Sequence, residues 1–247
     1  MRLIFFDFDG VLTPTSHALE IAKKIGRERE IKKLFSGTLN KKVGIEWIIL
    51  RGLEFLKGVE IETLEDVGEK LPLMNGAERT IDELKANDYH PILITNGFKE
   101  VSEVFGRKLG ILECYGNSLE IENSKFTGKL KKRELLSLKS KGDFIRGYLS
   151  RKGFSKEDCI AVGNDENDWW MFKEAFFSIL FNPSRRLLKR LEDSIKRAER
   201  GSKREFIELA RNVDVYITKA NLELMLPFLI PEPTKFPENV EIEKRFL

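Results

Sequence analysis

Apolar residues follow two rhythms along this chain. Short unbroken or nearly unbroken runs occur at Leu3–Phe6, Pro91–Ile94, Cys159–Val162, Phe177–Phe181 and Val213–Ile217. Between most of them, apolar positions recur every three or four residues. Continuous runs of that length suit parallel strands buried on both faces, and the longer spacing suits helices laid on a core. Gly76–Ala86 places Ile81 and Leu84 on one helical face. Gly97–Leu109 does the same with Phe98, Val101, Val104, Phe105 and Leu109. Alternating strand and helix predicts an α/β fold: a Rossmann-like parallel sheet flanked by helices.

Two stretches depart from that alternation. Residues 14–75 hold helical patterns at Ala18–Ile25, Glu28–Phe35, Ile45–Phe55 and Leu64–Leu71, with no strong strand. They are expected to form a helical insert after the first strand, leaving 1–13 and 76–247 as the core domain. Residues 117–130 read as a hairpin turning near Asn123-Ser124. Further on, 184–212 is a basic amphipathic stretch, expected to break at Gly201-Ser202 and to pack through Leu187, Leu188, Leu191, Ile195, Phe206 and Leu209. Its charged face reads first as solvated, and second as a surface for a partner or nucleic acid. The proline-rich tail from Pro231 reads as irregular.

Composition narrows the function classes. The 247 residues are 41% hydrophobic and 34% charged, with a net charge of only +3. Interspersed charges of both signs suit a soluble, cytoplasmic protein of the kind common in thermophiles. They give no sign of a nucleic-acid or membrane partner. No signal-peptide pattern or spanning segment is present: Asp7 and Asp9 break the first apolar run far short of the roughly 18 residues required. Cys114 and Cys159 lack metal-ligand spacing, and His17 and His90 are the chain's two histidines, which excludes a His-rich metal site.

The chemistry lies at the strand ends. The first run leads into Asp7-Phe8-Asp9-Gly10-Val11-Leu12-Thr13, and open α/β sheets bind ligands at such carboxyl ends. Two carboxylates there repel one another and resist burial. A divalent cation resolves the conflict, and hard oxygen donors suit Mg²⁺. The second run ends in Thr95-Asn96-Gly97, whose hydroxyl and N–H groups at a helix start read as an anion site or a simple cap. The third ends in Gly163-Asn164-Asp165-Glu166-Asn167-Asp168, acids without a local cation. Lys141 lies between these two, one lysine among several. Neither a G-x-x-x-x-G-K-[ST] loop nor G-x-G-x-x-G occurs.

The order Asp-x-Asp, Thr, Lys, acidic cluster resembles the four motifs of the haloacid dehalogenase superfamily, from Met1 to about Phe181. DFDGVLT is the most specific part. NGAERTIDELK, ILITNGF, KG…I…L and VGN..ND..MF look like the phosphoserine phosphatase group, which carries a helical cap after the first motif. The resemblance implies a Mg²⁺-dependent phosphatase acting on a small phosphorylated metabolite through an aspartyl-phosphate. Asp7 is then the nucleophile, Asp9 the general acid and base, and Thr95 and Lys141 phosphate ligands. Asn96 and Gly97 bind substrate. Asp7, Asp9, Asn164, Asp165 and Asp168 support the metal. Asn164 departs from the family, which usually has Asp there, so weaker metal affinity is expected. The cap residues that grip phosphoserine fall near Ser16 and near Gly52, with Arg51 adjoining, which puts phosphoserine itself in doubt. Trp47, Trp169 and Trp170 are candidates for the pocket or the core. Alternative readings are a phosphotransferase or mutase, and a catalytically weak member that binds a phosphorylated ligand or partner.

Overall fold

A computed structural model describes residues 1–39, 45–132, 135, 137, 139–198 and 212–230. Strand β1 (Arg2–Phe6) is followed by helices α1 (His17–Lys24), α2 (Glu28–Leu39), α3 (Ile45–Leu56) and α4 (Ile61–Lys70). Then come α5 (Ala77–Ala86), β2 (Tyr89–Phe98), α6 (Lys99–Lys108), β3 (Glu113–Glu122), β4 (Lys125–Lys132) and α7 (Ser140–Lys152). The chain continues through β5 (Cys159–Gly163), α8 (Trp169–Glu174), β6 (Phe177–Phe181), α9 (Arg185–Ala198), β7 (Val215–Ile217) and α10 (Leu226–Leu229).

The described strands form one seven-stranded sheet in the order β4-β3-β2-β1-β5-β6-β7. All neighbours are parallel except β3 and β4. Alternate residues of β1 face opposite ways. Ile4 and Phe6 join a core with α5, α6, α10 and the insert helices, while Leu3 and Phe5 join a second core with α7, α8 and α9. Both faces are covered, which is why the strand runs are continuously apolar. Leu3, Ile4, Phe5 and Phe6 are each fully buried, contributing roughly 1.5–3 kcal/mol apiece from removal of their side chains from water.

The insert helices share the first core through Ile21, Leu53, Leu56, Leu64 and Val67. The α3–α4 loop is tied to the β3–β4 hairpin by backbone bonds: Gly58 N–H to Phe126 O (2.8 Å), Phe126 N–H to Val59 O (2.8 Å) and Ile61 N–H to Ser124 O (2.9 Å). The hairpin turns at Asn123-Ser124, both with positive φ (48° and 62°), a turn whose twist matches the flanking strands.

Three features differ from the sequence expectation. The first half of β3 pairs in parallel with β2, Glu113–Tyr115 against Ile92–Ile94. Its polar sequence carried no strand signal. Second, β2 runs on irregularly to Phe98, so α6 starts at Lys99 and Thr95-Asn96-Gly97 lies on the strand end rather than at a helix start. Third, Leu222, Met225, Leu226 and Leu229 complete the first core under α5. The expected break at Gly201-Ser202, Phe206, Leu209 and the tail from Pro231 lie outside the described residues, as does the side chain of Ile195. Leu187 and Leu191 of α9 are buried as expected.

Candidate active site

Sheet register places the first acid. Phe6 is level with Leu93 on one side and Val162 on the other, so Asp7 emerges between the ends of β2 and β5. Its N–H donates to Val162 O at 2.9 Å. Asp7 is 5% exposed. Lys141, in the first turn of α7, is fully buried. Its Nζ donates to Asp7 Oδ1 and to Asp168 Oδ1, each at 2.6 Å. The other Asp168 oxygen accepts the N–H groups of Asn164 (2.8 Å) and Asp165 (3.1 Å). Asp168 therefore anchors Lys141 and the β5 loop, and both its oxygens are engaged.

Electrostatics follow from that crowding. Burial, then the Asp168 carboxylate, push the Asp7 carboxyl up to about 7, against the pull of Lys141. Burial works against the Lys141 charge, yet Asp168 and Asp7 hold its ammonium above the ordinary value.

Asp9 lies on the tight turn after β1, where Phe8 O accepts from the N–H groups of Leu12 (3.0 Å) and Thr13 (3.3 Å). Gly10 needs φ +80° there, and a Cβ on it would fall 1.9 Å from the Asn164 side chain. Asp9 has a partner that the sequence reading missed. Asp9 Oδ1 accepts the His17 N–H at 3.0 Å, and His17 Nδ1 lies 2.8 and 2.9 Å from the two Asp9 oxygens. His17 Nε2 accepts the Phe98 N–H at 3.3 Å, so the ring proton sits on Nδ1 and is donated to Asp9. The ring is 3% exposed and stacks on Phe8 at 5.2 Å. A Cβ on Gly97 would fall 2.0 Å from it. A glycine at that strand end was the one trace in the sequence.

Thr95 is buried, and its Oγ1 accepts the Gly97 N–H at 2.9 Å, which leaves its O–H to donate. The Asn96 side chain is structural. Its Nδ2 donates to Leu135 O (2.7 Å), and its Oδ1 accepts from Asn167 Nδ2 (3.3 Å). Asp165 caps the turn Glu166–Asp168, accepting the Glu166 N–H at 2.7 Å.

Asp7 and Asp9 line a cavity of about 610 Å³ together with Ser16, Thr95, Asn96, Gly97 and Asp165. Arg51 does not reach it. It pairs with Glu54 on the exposed face of α3, while the adjoining Gly52 lines the wall. Arg186 and Arg190 of α9 line the cavity instead, and Arg190 pairs with Glu166. None of the tryptophans is a lining residue. Trp47 is 49% exposed, Trp169 packs on the second core, and Trp170 lies under Lys139 (4.8 Å) and Lys173 (4.7 Å).

The residues present fit a hard divalent cation. Two buried acids share one ammonium, and the high Asp7 value marks a site short of positive charge. Asp7 and Asp9 bring oxygen donors to the cavity, and the Asn164 side chain lies against Gly10, outside the lining residues. Among the described residues no group of three His, Cys, Asp or Glu side chains forms a cage. Mg²⁺ sites commonly use one or two carboxylates plus substrate phosphate rather than such a cage.

Comparison with known proteins agrees with this geometry. Residues 1–175 match the model of the haloacid dehalogenase-like hydrolases. The chain is 33% identical over 180 residues to a phosphoserine phosphatase of Methanocaldococcus jannaschii, covering 73% of this chain and 85% of that one. It is 31% identical over 192 residues to that of Archaeoglobus fulgidus, covering 78% of this chain and 55% of the relative. A solved structure described as a phospho-aspartyl intermediate analogue of phosphoserine phosphatase superposes with TM-score 0.74 at 29% identity, covering 92% of this chain and 98% of that one. With its sheet order, its strand-end acids and these likenesses taken together, the chain belongs to the haloacid dehalogenase-like hydrolases and is a phosphatase-type enzyme of the phosphoserine phosphatase-like group.

Proposed function

We propose that this protein hydrolyses a small phosphomonoester through covalent phosphorylation of Asp7. The observation that carries the reading is Asp7 itself: a strand-end carboxylate, buried on the floor of a cavity and held by a fully buried lysine. An Asp7 oxygen attacks phosphorus and the ester oxygen departs, taking a proton from Asp9. Water then attacks the aspartyl-phosphate, giving its proton to Asp9, and inorganic phosphate leaves with Asp7 restored. His17 keeps the Asp9 carboxyl aimed at the cavity. The Thr95 O–H and the Asn96 N–H orient the phosphoryl oxygens, and Lys141 offsets their charge. Gly97 serves by making room for the His17 ring. Mg²⁺, held by Asp7, the Asp9 carbonyl and Asn164, would offset the repulsion between carboxylate and phosphate. Asp165 and Asp168 would support it through the loop.

In this reading residues 14–75 are a cap domain over a core of 1–13 and 76–247, and they keep bulk water from the reaction. Asp7→Asn is expected to abolish turnover of phosphomonoesters in the presence of Mg²⁺, with wild-type activity lost on adding EDTA. Substantial turnover by pure Asp7→Asn protein would rule Asp7 out as the nucleophile.

A further inference from the structure

The cavity wall opposite Asp7 is built by the insert helices, and it is apolar. Ile31, Leu34 and Phe35 face the cavity from α2, and Ile48, Ile49 and Leu56 from α3. Among the described residues no Asp, Glu, Lys or Arg side chain of α1 to α4 lines it; Ser16 and His17 are the polar groups there, and Arg186 and Arg190 of α9 line another part of the cavity. The acids on the remaining wall already have partners: Asp7 has Lys141, Asp9 has His17, Asp165 has the Glu166 N–H, and Glu166 has Arg190. A charged group aimed at the insert, ammonium or carboxylate, would meet leucine, isoleucine and phenylalanine, with no side-chain charge of α1 to α4 among the described residues to pair it. Charges buried without partners are strongly disfavoured. The volume, about 610 Å³, falls in the range of sites for drug-sized ligands, roughly 300–1,000 Å³.

We propose that the alcohol side of the substrate is an apolar group, alkyl or aromatic, seated against α2 and α3, and not the zwitterionic head of a phosphorylated amino acid. This rests on the reading of Asp7 as the phosphoryl acceptor. Each further methylene placed on this wall should raise kcat/KM about fourfold, the value of one buried CH₂.

The test is a series of primary alkyl monoesters from methyl to hexyl phosphate, compared with O-phospho-L-serine at saturating Mg²⁺. Alkyl esters are chosen because a phenol leaves more readily whatever the pocket. The same compounds are titrated calorimetrically into Asp7→Asn protein, which reads binding without turnover. Support is a rise of at least threefold per methylene over three or more steps, with hexyl phosphate at least tenfold better than O-phospho-L-serine. Phe35→Ala and Ile49→Ala, at half-buried positions, should flatten that rise. A flat series, or a tenfold preference for O-phospho-L-serine, overturns the inference and leaves the phosphatase reading standing. Graded binding without hydrolysis of any ester keeps the apolar wall and overturns the phosphatase reading. Neither binding nor hydrolysis overturns both.

Discussion

At Asp9, the histidine of α1 joins parts of the chain that lie far apart in sequence. One ring nitrogen holds the carboxylate, the other takes the Phe98 N–H, and Phe8 supports the ring face. Rotation of Asp9 away from the cavity would break its bonds to the ring. Loss of the ring in His17→Ala is therefore expected to lower kcat about 10- to 100-fold, the penalty for a misplaced proton donor, with KM changed less than about threefold. His17→Asn can still donate to Asp9 and should recover part of the loss. A rise in KM with kcat unchanged would instead make His17 a substrate ligand. Asp7 and Asp9 were legible because acids that directly follow a buried apolar run are costly unless a cation or ligand meets them. His17 was not, because a single histidine on a helix face has no periodic signature. Asp168 was legible as an acid of the site, but its engagement with Lys141 depends on a contact 27 residues apart in sequence.

Among the elements, β2, β3 and α7 meet at Glu113. Its carboxylate accepts from His90 Nε2 (2.8 Å), Tyr115 OH (2.7 Å) and Tyr148 OH (3.0 and 3.1 Å). Burial opposes its charge, yet bonds from Tyr115, His90 and Tyr148 hold its carboxyl below the usual range. A depressed acid contributes stability that is present above the unfolded value, about 4.3, and lost as pH falls through the folded one. Glu113→Gln is thus expected to lower Tm by roughly 2–4 °C at pH 7, for about 1 kcal/mol, and the gap should shrink as pH falls below about 4.3. A gap that does not change with pH would show that the carboxylate charge is not what stabilises this junction. Continuous apolar strands were readable at this scale because both of their faces are covered. The start of β3, Glu113-Cys114-Tyr115-Gly116, was not, since neighbouring β2 and the Glu113 bonds make it a strand. Its hairpin end was readable from Asn123-Ser124, residues that tolerate the positive φ of a tight turn.

Across the whole molecule, acids from two strand ends converge on one buried ammonium. Folding is thereby coupled to any cation that joins them. Mg²⁺ at about a hundred times its dissociation constant should stabilise the fold by about 2.7 kcal/mol and raise Tm by roughly 5–10 °C. Asn164→Asp adds a charged oxygen and should lower the half-saturating Mg²⁺ about tenfold, while depressing Tm in EDTA. An unchanged Tm in wild-type protein on adding Mg²⁺ would argue against a metal at this mouth. The wall that α9 contributes was not legible, because its arginines read as a solvated face until the β6–β7 crossover carries them to the cavity. The position of β1 also shapes how the chain is made. Its Leu3 is level with His90 and with Cys159, so the first strand of this sheet to be made waits for two distant neighbours. Until they arrive it is an unpaired apolar ribbon, prone to stick to others of its kind. Competence for chemistry is reached only once β5 has been made, and until then chaperone demand should fall on β1.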